Sequence, residues 1–115
     1  MYHPIVAQDL RKMRIGMRYK GYACVLIAAK LSLGKQGDPM YITKDLYPSI
    51  AEQTRLTQEA VESNITYVVQ KCWENNRTYL RGIAGYQLER PPTNQEFIDM
   101  LVNHALRTGE SARMG

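Results

Sequence analysis

Apolar residues recur along this chain at the spacing of helix faces, and no stretch alternates apolar and polar residues long enough for a strand. In PIVAQDLRKMRIG (4–16), Val6, Leu10 and Met13 share one face, with Arg11, Lys12 and Arg14 off it. Gly16 offers a stop. YACVLIAAKLSLG (22–34) is apolar nearly all round, the pattern of a central buried helix. Gly34, Gly37, Asp38 and Pro39 then make a loop.

A third helix is expected from about Thr43 to Gln53, with Thr43 as N-cap and Leu46, Ile50 and Ala51 facing inward. Pro48 makes its first turn irregular or delays its start. After the turn QTRLT (53–57), Thr57 caps a fourth helix, TQEAVESNITYVVQKCW (57–73). Glu59 in the first turn complements the helix dipole. Val61, Ile65, Val68 and Cys72 form the inward stripe, and Trp73 ends it as a core residue. A short helix near Thr78–Ile83 ends around Gly85. Pro91 and Pro92 halt the next segment. Thr93 and Glu96 have capping-box spacing, and Ile98, Leu101, Ala105 and Leu106 supply the last apolar face, which Gly109 closes. The pattern predicts an all-α protein of about six helices.

With 115 residues, one domain is the default. A chain of this length buries roughly two-thirds of its unfolded surface, enough for a core without staples. A composition 44% hydrophobic and 23% charged is that of a folded protein. Cys24 and Cys72 sit in apolar helical patterns, there is no CxxC pair, and His3 and His104 stand far apart. Two buried thiols are expected, with no metal site, disulfide framework or cofactor. The longest apolar run is ACVLIAA (23–29), far short of the roughly 20 residues of a membrane span. The N-terminus is polar and basic, unlike a signal peptide. These features lead to the expectation of a cytoplasmic protein with no membrane partner.

The net charge of +4 is unevenly spread. Residues 1–35 carry Arg11, Lys12, Arg14, Arg18, Lys20, Lys30 and Lys35 against Asp9 alone, while the rest of the chain is slightly acidic. A basic segment beside a nearly neutral body suits a polyanion, and equally suits a solvated surface that keeps the protein in solution.

Helix, short turn and helix with Ile50, Ala51, Leu56, Val61 and Ile65 at these positions fit a helix-turn-helix. The small Ala51 allows close packing at a steep angle. Arg55 stands where a tight turn often wants glycine, so a longer or differently shaped turn is expected.

Several motifs in order are more specific: KGY (20–22), ITKDLYPSIAEQT (42–54), TQEAVESNITYVVQKCW (57–73), GY (85–86) and PTNQEFI (92–98). Together they resemble the C-terminal effector domain of the master sporulation transcription factor, a response regulator. The resemblance runs from Lys20 to about Leu106. It implies a six-helix DNA-binding domain whose fourth helix sits in the major groove of double-stranded DNA. It also implies copies bound head-to-tail on tandem sites, with the last helix, here 94–107, contributing to the contact between them. The family's usual parent carries an N-terminal phosphoacceptor receiver domain. Here Met1 stands shortly before KGY, and IGMRYKGY (15–22) is shorter than the family's usual loop, so a stand-alone relative is expected. The expected division of the single domain is a basic N-terminal helix and loop (1–19), the family-like region (20–108) and a flexible tail (109–115).

One departure bears on function. The family's recognition helix carries arginines where this chain has Ala60, Ser63 and Thr66, while its base-contacting glutamate is kept as Glu62. One bidentate arginine–guanine contact is worth roughly 1–3 kcal/mol of discrimination. Three such losses remove on the order of 3–9 kcal/mol, comparable to the roughly 4–10 kcal/mol separating specific from non-specific binding. The family's site is therefore not read in the same way here.

Two readings follow. In the first, the helix reads the groove with short polar groups: Asn64 or Gln70 on adenine, Glu62 on cytosine, Ser63 and Thr66 on bases or thymine methyls, with Ala60 a further base-facing candidate and Tyr67 either stacking on a base, contacting a sugar or packing half-buried. Phosphate contacts come from Lys44, Arg55, Thr57, Lys71, Arg77, Arg81 and the basic N-terminal segment. In the second, DNA binding has been lost and the same face meets a protein, such as a related regulator that this chain modulates. No nucleophile–base pair or small-molecule site stands out. Glu59 and Glu62 lie three apart on a helix, a spacing commoner on solvated faces, and no enzyme is expected.

Overall fold

Pro4 opens the first helix, α1 (Pro4–Lys12), where its missing N–H is not needed, and the Nδ1 of His3 caps the helix by accepting from the Ile5 N–H at 3.1 Å. Val6, Leu10 and Met13 are fully buried, as their spacing predicts. Arg14, not Gly16, ends the helix. It takes the left-handed conformation (φ 62°), its N–H donates to the Arg11 carbonyl at 2.9 Å, and the Ile15 N–H reaches back to Leu10 at 2.8 Å. This is a Schellman closure with buried Leu10 and Ile15 as its apolar pair. The arginine accepts a backbone cost of roughly 1–2 kcal/mol that glycine would avoid.

The computed structural model describes residues 2–35 and 40–114, with side chains described as far as Gly109. Gly37, Asp38 and Pro39 of the expected loop lie outside the described residues. After α1 come α2 (Lys20–Gly34), a π-helical turn (Ile42–Leu46), α3 (Tyr47–Thr54), α4 (Gln58–Ala84) and α5 (Asn94–Met114). The described residues form no strand, and the α-helices number five rather than six.

The missing sixth is the tail of α4. The expected short helix at 78–83 follows a bend at Asn76 (φ −155°, ψ 68°) without a loop. The Asn76 Oδ1 accepts from the Tyr79 N–H at 3.2 Å, acting as a cap for the segment beyond the bend. The bend also aims two amides at the end of α1: Asn75 donates to the Met13 carbonyl at 3.1 Å and Asn76 to that of Lys12 at 3.0 Å. Gly85 (φ 79°) closes α4, as expected.

Thr43 does not cap the third helix. The N-cap position of α3 is Leu46, which offers no side-chain bond, and in the π-helical turn before it the Asp45 Oδ2 accepts from the Tyr41 N–H at 2.9 Å. Pro48 sits in the first turn of α3, so the irregular start is confirmed and displaced. At α5 the capping box forms as predicted: Thr93 Oγ1 accepts from the Glu96 N–H at 3.1 Å, and Glu96 Oε1 from the Thr93 N–H at 2.8 Å. Gly109 does not end α5, which runs to Met114. A lone glycine costs a helix only about 1 kcal/mol, and no proline follows it.

α2 is the central helix, buried continuously from Cys24 to Ala29 and packed against α1, α3, α4 and α5. Its closest crossing is with α4. A Cβ on Gly21 would overlap the Asn64 carbonyl oxygen and come within 2.6 Å of Val68 Cγ2. Only glycine lets the two backbones approach this far. Asp9, the one buried charged residue among the described residues, joins three helices: the Tyr79 hydroxyl donates to Oδ1 at 2.5 Å, and His104 Nδ1 lies 2.6 Å from Oδ2. Burial, and then the bond to Asp9, push the Tyr79 hydroxyl pKa well up.

Candidate nucleic-acid interface

α3 and α4 are joined by Arg55, Leu56 and Thr57 alone. The turn is therefore not longer than usual. Arg55 itself adopts the left-handed conformation (φ 62°, ψ 26°) that glycine would take there. The Thr57 hydroxyl accepts from the Ala60 N–H at 3.1 Å, the expected cap, while Leu56 is 38% exposed rather than in the core. Val61, Ile65, Val68 and Cys72 are fully buried and seat α4 on the body. This is a helix-turn-helix with α4 as its second helix.

The outward face of α4 follows from that seating. Glu62, Ser63, Thr66, Tyr67 and Gln70 are exposed and line one shallow depression. Ala60 and Asn64 are half-buried. Asn64 lies on the flank toward α2, where it shares a second depression with Arg18, Tyr19, Lys20, Gly21 and Tyr67. Seven base-reading candidates thus divide into five on one surface and two at its edges.

Asn94 was not among those candidates, yet it fixes this surface. Its Nδ2 donates to Thr66 Oγ1 at 3.0 Å, to the Glu62 carbonyl at 3.3 Å and to the Tyr47 hydroxyl at 2.9 Å. One amide thereby holds α3, α4 and the start of α5 together. Burial raises the pKa of the Tyr47 hydroxyl, and the Asn94 bond partly offsets this. Thr66 keeps its own O–H to donate. The PTN motif marks Asn94 in the sequence but says nothing of its partners.

The phosphate candidates are dispersed. Lys44 is exposed on the turn before α3, and Arg55 and Thr57 are exposed on the turn after it. Lys71 sits beside the outward face of α4, 5.5 Å from the Tyr67 ring centre, and its Nζ is 3.3 Å from Glu74. Arg77 and Arg81 lie with their guanidinium groups 4.0 Å and 5.3 Å from the centre of the Trp73 ring, and Arg81 Nε donates to the Leu88 carbonyl at 2.8 Å. Arg77 is roughly 20 Å along the helix from Ser63, at 1.5 Å per residue, and so lies beyond the depression on the outward face of α4. Trp73 itself is buried, as expected.

The remaining chemistry is bland. Cys24 and Cys72 are both free and buried, and burial pushes the Cys72 thiol up to about 12, so it stays protonated at neutral pH. No group of three or more His, Cys, Asp or Glu among the described residues is placed to hold a metal ion. Glu59 and Glu62 are both solvated. No described helix is long and apolar enough to cross a membrane.

Residues 6–105 match the family model described as sporulation initiation factor Spo0A C terminal. That span covers nearly the whole chain and includes most of α1, which the motifs alone did not reach. With its helix-turn-helix and all-helical fold, the chain belongs to this family of DNA-binding effector domains of a transcription factor, which is not an enzyme family.

Proposed function

We propose that this chain regulates transcription by binding duplex DNA through α4, reading bases with short polar side chains where its relatives are expected to use arginines. The observation that carries this reading is the shared exposure of Glu62, Ser63, Thr66, Tyr67 and Gln70 on one face of the second helix of a helix-turn-helix. Gln70 offers the amide pair that suits adenine, and Glu62 accepts from cytosine. Ser63 and Thr66 donate or accept, and Tyr67 contacts base or sugar.

Binding-site selection from random duplex DNA tests the reading. Enrichment of a preferred site unlike the family's, with affinity falling steeply as salt rises, is the expected outcome. Absence of duplex binding even at low salt would replace it with the protein-interaction reading, which the uncharged Ala60, Ser63 and Thr66 and the exposed Tyr67 favour.

Pairing of two copies on DNA through α5 belongs to the same proposal. Asp99 and Arg107 are exposed on α5 beside exposed Tyr86, around a depression that also reaches Ile83. Sedimentation on duplexes carrying one or two selected sites distinguishes a monomer from a cooperative pair.

A further inference from the structure

We infer that Arg11, Arg14, Arg18 and Lys20 form a phosphate-binding track that holds the DNA backbone beside α4. This inference rests on the DNA-binding reading and says where that reading's electrostatic affinity comes from.

The track is continuous with the base-reading face. Three depressions stand in a row and share walls. The first is lined by Glu62, Ser63, Thr66, Tyr67 and Gln70. The second shares Tyr67 with it and adds Arg18, Tyr19 and Lys20. The third shares Arg18 and Tyr19 with the second and adds Arg11 and Arg14. Tyr19 and Tyr67 bridge the row, with ring centres 6.0 Å apart at 37°. The row begins at base-reading side chain types and ends at three arginines.

Several of the other cations are committed, and Lys12, Lys35, Lys44 and Arg55, which also form no ion pair among the described residues, line none of these three depressions. Lys71 pairs with Glu74, Arg90 pairs with Glu96, Arg77 and Arg81 lie on Trp73, and Arg107 donates to the Ile83 carbonyl at 3.1 Å. Among the described residues, no ion pair involves Arg11, Arg14, Arg18 or Lys20. Their charges face solvent uncompensated, in the part of the chain that carries its net positive charge.

The presentation is also rigid. Arg14 is held in the left-handed conformation at the Schellman closure, with Leu10 and Ile15 buried beneath it. Asn75 and Asn76 of α4 bond the carbonyls just before it. The groove is thus fixed to the helix that faces the bases. Guanidinium groups bind phosphate oxygens in pairs, and a row of them beside a base-reading surface suits a nucleic-acid strand better than an acidic peptide.

The test uses Arg14→Gly, because glycine relieves the left-handed backbone while removing the charge. Affinity for the selected duplex and for a scrambled one is measured across a salt series, alongside the thermal midpoint. The expected result is weaker binding by a similar factor on both duplexes, a salt slope smaller by about one, and a midpoint unchanged or raised. Arg11→Gln and Arg18→Gln added to it should lower the slope by up to about three in all. Lys71→Gln with Arg77→Gln should move it less. If the wild-type chain binds duplex DNA and the triple variant keeps its slope and affinity, the track is refuted while DNA binding stands. If the wild-type chain binds no duplex at any salt, DNA binding itself is refuted and the track with it.

Discussion

Asn94 Nδ2 donates to Thr66 Oγ1 across 3.0 Å, tying the first residue of α5 to the outward face of α4. The same nitrogen reaches the buried Tyr47 of α3. A residue outside the helix-turn-helix therefore ties its two helices together. Asn94→Ala leaves the Tyr47 hydroxyl without this partner and should destabilise the fold by about 1–3 kcal/mol. A lower urea midpoint with an unchanged slope would show it. Duplex affinity should fall as well, because Glu62 and Thr66 lose their anchor.

Gly21→Ala is expected to be worse than its size suggests. The added methyl meets the Asn64 backbone and Val68 Cγ2, neither of which is the free end of a flexible side chain. Forcing atoms into a packed crossing typically costs about 1–3 kcal/mol. Thermal unfolding measures it, and a neutral result would mean that α2 and α4 do not approach as closely as described.

Arginines placed at positions 60, 63 and 66 should restore some preference for the family's site, by up to a few kcal/mol. The three positions are not equivalent. Thr66 gives up its bond to Asn94 and Ala60 is half-buried, whereas Ser63 is exposed and carries no side-chain bond among the described residues. Ser63→Arg alone should therefore gain about 1–3 kcal/mol of discrimination without loss of stability. Competition between the two duplexes reads this directly. No gain would mean that α4 is not presented to the groove in the family's way.

Acid should weaken the α5 capping box. The Thr93 N–H, and then Arg90, hold the Glu96 carboxyl below its usual range. A depressed folded pKa contributes stability that is present above the unfolded value of about 4.3 and lost as pH falls through the lower folded value. Glu96→Gln keeps an acceptor for the Thr93 N–H and removes the titration. Its urea midpoint should decline less steeply than the wild type's from about pH 6 to about pH 3. Parallel declines would assign the acid sensitivity to other carboxylates.

Helix faces were legible because they are local. The inward stripe of α4, the cap at Thr57, the box at Thr93 and Glu96 and the closure at Gly85 all involve residues within a few positions of one another. The errors were also local in appearance but not in cause. Gly16 looks like a stop, yet α1 ends two residues earlier because Ile15 can be buried by a tighter closure. The break expected before Thr78 is a bend, because Asn75 and Asn76 find carbonyls of α1 there, 62 and 64 residues away.

Periodicity was sufficient for the all-helical class and the side of α4 that turns inward, since each depends on neighbours three or four positions apart, and the order of short motifs along the chain was sufficient for the family. Which cations are uncommitted, and that Arg11, Arg14 and Arg18 continue the surface of Tyr67, emerged with the folded arrangement. So did the clamp of Asn94 on Thr66, 28 residues apart, and the bond between Asp9 and His104, 95 apart. Such contacts form between groups brought together by burying apolar faces, and residue spacing along the chain does not encode which polar groups will meet when those faces close.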